Sequence, residues 1–163
     1  PIQQGLLFPY NQNAAIYKCP SERYKTAGGL PRFRSYAINY HVGKPGSGAA
    51  TKGLVAELDK PMEVFVFVDQ ERIDNSHFGI GYPLGTRGAA LFSGWNTTWY
   101  EMPTARHNNA CTFSFADGHA EVHKWVDART IKPLTLKPLT LVVPSPGNRD
   151  MIYMSDHASV RAT

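Results

Sequence analysis

Apolar and polar residues alternate most regularly between Ala110 and Trp125. Cys111, Phe113 and Phe115 fall on one face of the first half, with Thr112 and Ser114 on the other. In the second half His119, Glu121, His123 and Trp125 share a face, opposite Ala120, Val122 and Lys124. A period of two belongs to a strand, so strands are expected near 110–116 and 119–125. Asp117-Gly118 between them predicts a tight type I′ hairpin turn, because both residue types tolerate positive φ. Val64-Phe65-Val66-Phe67-Val68 is a continuous run of β-branched and aromatic residues. It predicts a strand near 62–68 covered on both faces and closed by Asp69, Gln70 and Glu71. A fourth strand is expected over 34–40, where Arg34 to Tyr40 alternates.

Helical spacing is confined to the ends. Leu6, Leu7, Tyr10, Ala14 and Tyr17 recur at intervals of three and four, predicting short turns of helix interrupted by Pro9. A final helix is expected from Asp150 to Arg161, with Asp150 as N-cap and Met151, Met154, Ala158 and Arg161 along one stripe. Residues 43–53 read as a small-residue loop. Residues 72–105 have no period and are punctuated by glycine; such an insertion either carries specificity or wraps the sheet. KPLTL occurs at 132–136 and again at 137–141. Its prolines predict an extended, Pro-rich tail over about 130–163. The pattern as a whole is that of an α+β fold with an antiparallel sheet and long decorated loops.

Composition narrows the picture. At 163 residues the chain suits one domain, 1–163, and 42% hydrophobic residues suffice for a core. The net charge of +4 comes from scattered Lys and Arg, with no basic run or basic helix face. That reads as a solvated surface and gives no nucleic-acid partner. No stretch of 18 apolar residues could span a membrane, and no signal peptide is visible. The chain opens on Pro1 without Met, which suggests a processed or trimmed product. Cys19 and Cys111 form no CxxC pair. In an oxidising compartment they would close a long loop as a disulfide; otherwise each is a small buried apolar residue.

Four kinds of chemistry can be drawn from the residues. His107, His119 and His123 cluster in sequence near Asp117, but His119 and His123 stand roughly 13 Å apart on an extended strand, too far to share a zinc. A metal hydrolase using these histidines would need that strand bent. A nucleophile set of Cys111, His107 and Asp117 puts the thiol on the buried face, where it is inert. Asp69, Asp74, Asn75, Asn108, Asn109 and Asp117 offer oxygens for a structural calcium, without EF-hand spacing; Asp69, Asn108 and Asp117 are the calcium candidates. Trp95, Trp99 and Tyr100, in a Gly-rich loop, would make a stacking platform for a carbohydrate or other ligand. Against all four stands a structural reading: Asp117 caps its own turn, and His107 bridges neighbouring loops.

The segment MPTARHNNACTFSFADGHAEVHKW resembles the C-terminal signature of the prepilin-type processing-associated proteins. Their defining motif is a His, nine residues, then Asp-Gly, here His107, Asp117 and Gly118. IYKCPSE resembles their Cys-Pro-Ser segment, with Tyr17, Cys19, Pro20 and Ser21. RSYAINY is similar to their Ser-Tyr-Ala segment, giving Ser35, Tyr36 and Asn39. PMEVFVFVDQ resembles their strand ending in Asp, here Asp69, and VPSPGNRDMIYMSDHA their tail. The resemblance covers most of the chain. It implies a pilin-like, or pseudopilin-like, globular head that is not an enzyme and needs no cofactor. It also implies relation to type II secretion and type IV pilus components, with partners among pilin-like subunits and their assembly machinery. Such proteins sit in the cell envelope, periplasmic or at the surface, anchored in the inner membrane as precursors by a hydrophobic N-terminal helix. That helix is absent from this chain. The insertion and the KPLTL duplication map to nothing in the family.

Overall fold

The computed structural model describes residues 2–26, 28–39, 42, 55–58, 60–71, 77–78, 98–99, 101–131 and 143–158. The described strands are β1 (Tyr36–Asn39), β2 (Phe65–Asp69), β3 (His77–Phe78), β4 (Thr98–Trp99), β5 (Ala110–Phe115), β6 (Ala120–Lys124) and β7 (Val143–Pro144). The described α-helices are α1 (Phe8–Asn11), α2 (Ala128–Ile131) and α3 (Arg149–Ala158). The main sheet runs β3-β1-β2-β5-β6; β1, β2, β5 and β6 are antiparallel neighbours, and β3 adds a short parallel edge. The expected α+β class and its four antiparallel strands are present. β3, and the separate β4-β7 ribbon, arise where no period was readable.

The most apolar run takes the middle of the sheet, where both edges of its backbone are paired. Its coverage is less complete than expected. Phe65 and Val68 are fully buried, but Val66 and Phe67 are half-buried. The β2-β5 register shifts between Phe65 and Phe67. An extra residue in one strand reverses the alternation, so Phe65 and Val68, three apart, both reach the core.

The β5-β6 hairpin follows the expected faces on β5: Cys111, Phe113 and Phe115 are buried. Its turn differs from the expectation. Of Asp117 and Gly118 only Gly118 has positive φ, at 96°. Gly118 N–H donates to Phe115 O at 3.0 Å and Phe115 N–H to His119 O at 2.8 Å. The connection is therefore a three-residue loop, Ala116 to Gly118, closed by a left-handed glycine.

Pro9 lies in the first turn of α1 and starts it, because a missing N–H costs nothing there. The cap of α3 is Asn148, whose Oδ1 accepts the N–H groups of Asp150 at 2.9 Å and Met151 at 3.1 Å. Asp150, expected in that role, is buried and accepts the N–H groups of Val126 and Asp127 at 3.1 and 3.0 Å. It ties the helix to the end of the hairpin. Met151, Met154 and Ala158 form the buried stripe as expected, and Arg161 lies outside the described residues. So do KPLTL and residues 43–53. No described helix is long and apolar enough to cross a membrane.

On its other side α3 meets the face of β6 that carries the histidines. The His123 ring stacks on Tyr153 with centroids 3.5 Å apart, and both meet Phe113 edge-on. Burial pushes the His123 pKa down; Asp150 and Glu121 oppose this, and His157 adds to it. A depressed histidine stabilises the fold above its unfolded pKa, near 6.5, and loses that contribution as pH falls through its folded value. Urea midpoints measured from pH 8 to pH 5 should therefore fall more steeply for the parent protein than for His123→Gln.

Candidate functional site

Chain segments far apart in sequence meet at the C-terminal end of β2. The first is Cys19-Pro20-Ser21-Glu22, a turn closed by Glu22 N–H to Cys19 O at 2.9 Å. Pro20 occupies the second position of that turn, where its fixed φ is already suitable. Cys19 N–H donates to Ser35 Oγ at 2.6 Å, Ser35 N–H to Tyr17 O at 2.9 Å, and Gln70 N–H to Ser35 O at 2.8 Å. Ser35, fully buried just before β1, thus ties the turn to β2. The next segment, 104–109, bends into β5 through Asn108 and Asn109, both with positive φ (56° and 61°). Asparagine tolerates that conformation better than most residues.

This bend brings His107 and Arg106 over Asp69. His107 Nε2 lies 2.9 Å from Asp69 Oδ2 and 3.5 Å from Cys19 Sγ. Cys19 and Asp69 are buried, and the His107 side chain is 25% exposed. Cys111 Sγ donates to Asp69 O at 3.1 Å. Arg106 spreads its fork over five groups: Thr104 Oγ1 at 2.7 Å, Glu22 Oε2 at 3.1 Å, Gln70 O at 2.9 Å, the Asp69 carboxylate at 3.6 Å and Glu71 Oε2 at 3.7 Å. Thr104 Oγ1 passes the contact on by donating to Glu71 Oε2 at 2.8 Å. Tyr24 O–H donates to the other Glu71 oxygen, and Arg32 joins through Glu22 at 3.6 Å and Glu71 O at 3.2 Å.

The electrostatics follow from burial. Burial raises the Asp69 pKa, and the pull of Arg106 and His107 only partly offsets it. Burial also works against the Arg106 charge, yet Asp69, Glu22 and Glu71 hold its pKa above the ordinary value. The Tyr24 hydroxyl is pushed up to about 12 by burial and by Glu71. Burial drives the Cys111 thiol well above its usual range, so it is no nucleophile at neutral pH.

The expected site residues divide into two groups. Cys19, Tyr36, Asp69 and His107 come together here, with Tyr36 paired to Asp69 across the β1-β2 ladder. Asn39 acts three residues along, its Nδ2 donating to Phe65 O at 2.8 Å and Ala158 O at 2.7 Å. Asp117 and Gly118 lie at the far end of β5, about 20 Å away by strand length. Asp117 caps its own turn, accepting His119 N–H at 3.1 Å. The His119 imidazole, 2.6 Å away, holds the Asp117 carboxyl below its ordinary value.

Several expectations are corrected. Both cysteines are free thiols: Cys19 faces His107 and Cys111 faces the Asp69 carbonyl, so neither is spent on a disulfide. The calcium set fails geometrically, because Asp69 is buried, Asn108 is exposed and Asp117 is at the opposite end of the hairpin. The set of Cys111, His107 and Asp117 fails for the same reason. Trp99 is 0% exposed and belongs to the core, so it is no stacking platform. Trp95, Tyr100, Asp74 and Asn75 lie outside the described residues.

Sequence reading missed Glu22, Glu71, Thr104 and Arg106. Charged residues beside a strand end or a turn ordinarily signal a solvated surface. Only the adjacency of Arg106 to His107, and the place of Glu71 two residues after Asp69, hinted otherwise.

A cleft of about 640 Å³ opens beside the cluster, lined among others by Tyr24, Glu71, Met102, Arg106 and Ile131. Three of its polar walls are already committed, since Arg106, Glu71 and Tyr24 hydrogen-bond within the cluster. Nor does the triad form a proton relay. His107 meets both Cys19 and Asp69 through one nitrogen, whereas a relay uses one ring nitrogen for each partner. No family model, curated protein or solved structure matches the chain.

Proposed function

We propose that the chain is the globular head of a pilin-like, or pseudopilin-like, subunit that acts by assembly and contact and performs no catalysis. The observation that carries this reading is where the motif residues spend their polar groups. Cys19, Ser35, Asn39, Asp69 and His107, taken from four segments, bind one another or the backbone of the sheet. A motif used in this way holds a shape constant while the loops around it vary. The resemblance to prepilin-type processing-associated proteins supports the same reading, as does the antiparallel sheet.

A head of this kind needs contact surface. Leu6 (92% exposed), Tyr10 (88%) and Phe33 (75%) leave apolar side chains in solvent on the segments preceding β1. Other pilin-like subunits, or the assembly machinery, would cover them. On this proposal the native protein resides in the cell envelope, anchored as a precursor by an N-terminal hydrophobic helix. Mass spectrometry of the protein from its own cells tests it. The expected result is a longer form that begins with an N-methylated apolar residue followed by about twenty apolar residues. A native form starting near Pro1 after an ordinary secretion signal would overturn the filament role.

A further inference from the structure

We propose that Cys19, Asp69 and His107 form a binding site for a divalent transition metal of the zinc class. The inference is independent of the assembly reading. Cys19 Sγ, one Asp69 carboxylate oxygen and a His107 ring nitrogen all lie within 4.8 Å of one another. The pairs measured from His107 Nε2 are 2.9 Å to Asp69 Oδ2 and 3.5 Å to Cys19 Sγ. Ligand atoms about 2.0–2.3 Å from a tetrahedral zinc stand about 3.3–3.8 Å apart. Opening the His107–Asp69 pair by a few tenths of an ångström brings both sides measured from His107 into that range, and the third side is within 4.8 Å.

A second observation points to a cation. Asp69 Oδ1 is buried without a hydrogen-bond partner. Arg106 approaches it only to 3.6 Å, with its guanidinium hydrogen-bonded instead to Glu22, Gln70 and Thr104. Counted formally, with the His107 imidazole as neutral, the ion-paired network holds three carboxylates (Glu22, Asp69, Glu71) and two guanidiniums (Arg32, Arg106), leaving one negative charge over. When the metal binds, Cys19 releases its thiol proton to solvent. The thiolate and the Asp69 carboxylate then balance the charge of the ion, and Arg106 stays neutralised by Glu22 and Glu71.

The donor set selects the metal. One thiolate, one imidazole and one carboxylate suit zinc and its neighbours. Calcium wants six or more oxygens and magnesium an octahedron of them. The exposed quarter of His107 leaves a way in for the ion and a fourth position for water. The metal would join the Cys19 turn, the end of β2 and the 104–109 bend at one point.

The test titrates the chelator-treated 163-residue chain with Zn²⁺ and, separately, Co²⁺. The expected result is one equivalent bound, with a thiolate-to-cobalt charge-transfer absorption in the near ultraviolet. Cys19→Ser and His107→Ala should each weaken binding by more than the ~10–100-fold that loss of an outer-shell partner costs. A His119→Ala/His123→Ala double variant should bind as the parent does. Absence of stoichiometric uptake overturns the proposal, as does a cobalt spectrum without the thiolate band. Uptake that disappears in the double variant overturns it too, by placing the metal on the hairpin. If Cys19→Ser does not fold, the parent's cobalt spectrum decides alone.

Discussion

Arg106→Leu is expected to destabilise the protein by about 3–5 kcal/mol, enough to leave much of it unfolded at 37 °C. The side chain of Arg106 is 12% exposed, and those of Glu22 and Asp69 are 0% exposed. Removing the guanidinium leaves Glu22 with Arg32 at 3.6 Å and Asp69 with His107 as their remaining charged or polar side-chain partners, in a medium that solvates them poorly, and takes a partner from Glu71 as well. Leucine fills much of the volume, so the loss reads the charge and not a cavity. Arg106→Lys should recover little of it, because an ammonium cannot reach Thr104, Glu22 and Gln70 from one planar fork. The sign of the pH dependence is fixed. Asp69 already has a raised folded pKa, and without Arg106 it rises further. A carboxyl raised on folding contributes stability that is fully present below its unfolded pKa, near 3.9, and lost as pH rises through the folded value. The variant should therefore lag the parent most at neutral pH, and the gap should narrow towards pH 4. Urea denaturation at several pH values measures both effects.

Trp125→Ala should cost about 3–5 kcal/mol, the range for deleting a large buried aromatic. Trp125 is 2% exposed and meets Phe113 and His123 edge-on, at centroid distances of 6.0 and 5.1 Å. Its indole N–H donates to Thr104 O at 2.7 Å, and its backbone N–H to Asn109 O at 2.8 Å. These two bonds clamp both ends of the bend that presents Arg106 and His107. Trp125→Phe keeps an aromatic ring but removes the indole donor and some buried volume, leaving a buried carbonyl with one partner fewer. That should cost about 1–3 kcal/mol. In Trp125→Phe, hydrogen exchange should quicken at Thr104 and Glu71, whose amides bond to Asp69 O and Met102 O. Exchange in the β2-β5 ladder should stay close to that of the parent.

The sheet was legible because its signals are local. β5 declares itself by alternation and β2 by density of β-branched and aromatic residues, and each needs only its own residues to be read. The turn type at Asp117-Gly118 was misread because the dipeptide suits two hairpin geometries. Ala116 was drawn into the loop, leaving Gly118 alone to supply positive φ. β3, β4 and β7 carry two residues each, too few for any period to register.

The site divides in the same way. Cys19, Asp69 and His107 were legible as members of a motif, but their meeting depends on chain reversals tens of residues apart. Arg106 was hidden for a physical reason. A largely enclosed arginine is sustained by partners that come from Glu22, Gln70 and Thr104, and no pattern in the sequence links those positions. Trp99 misled in the opposite direction, since an aromatic in a glycine-rich stretch suits a platform and a core equally well until its burial is known.

The motif histidine works inside the fold, as a clamp between the Cys19 turn and the end of β2. A double-mutant cycle on Asp69→Ala and His107→Ala, measured by urea unfolding in chelator at pH 7, tests it most directly. Each single variant should lose about 1–3 kcal/mol, and the pair should be coupled by more than about 0.5 kcal/mol, so the second substitution costs less after the first. Single variants with full stability, or losses that simply add, would contradict it and return His107 and Asp69 to the search for a chemical role.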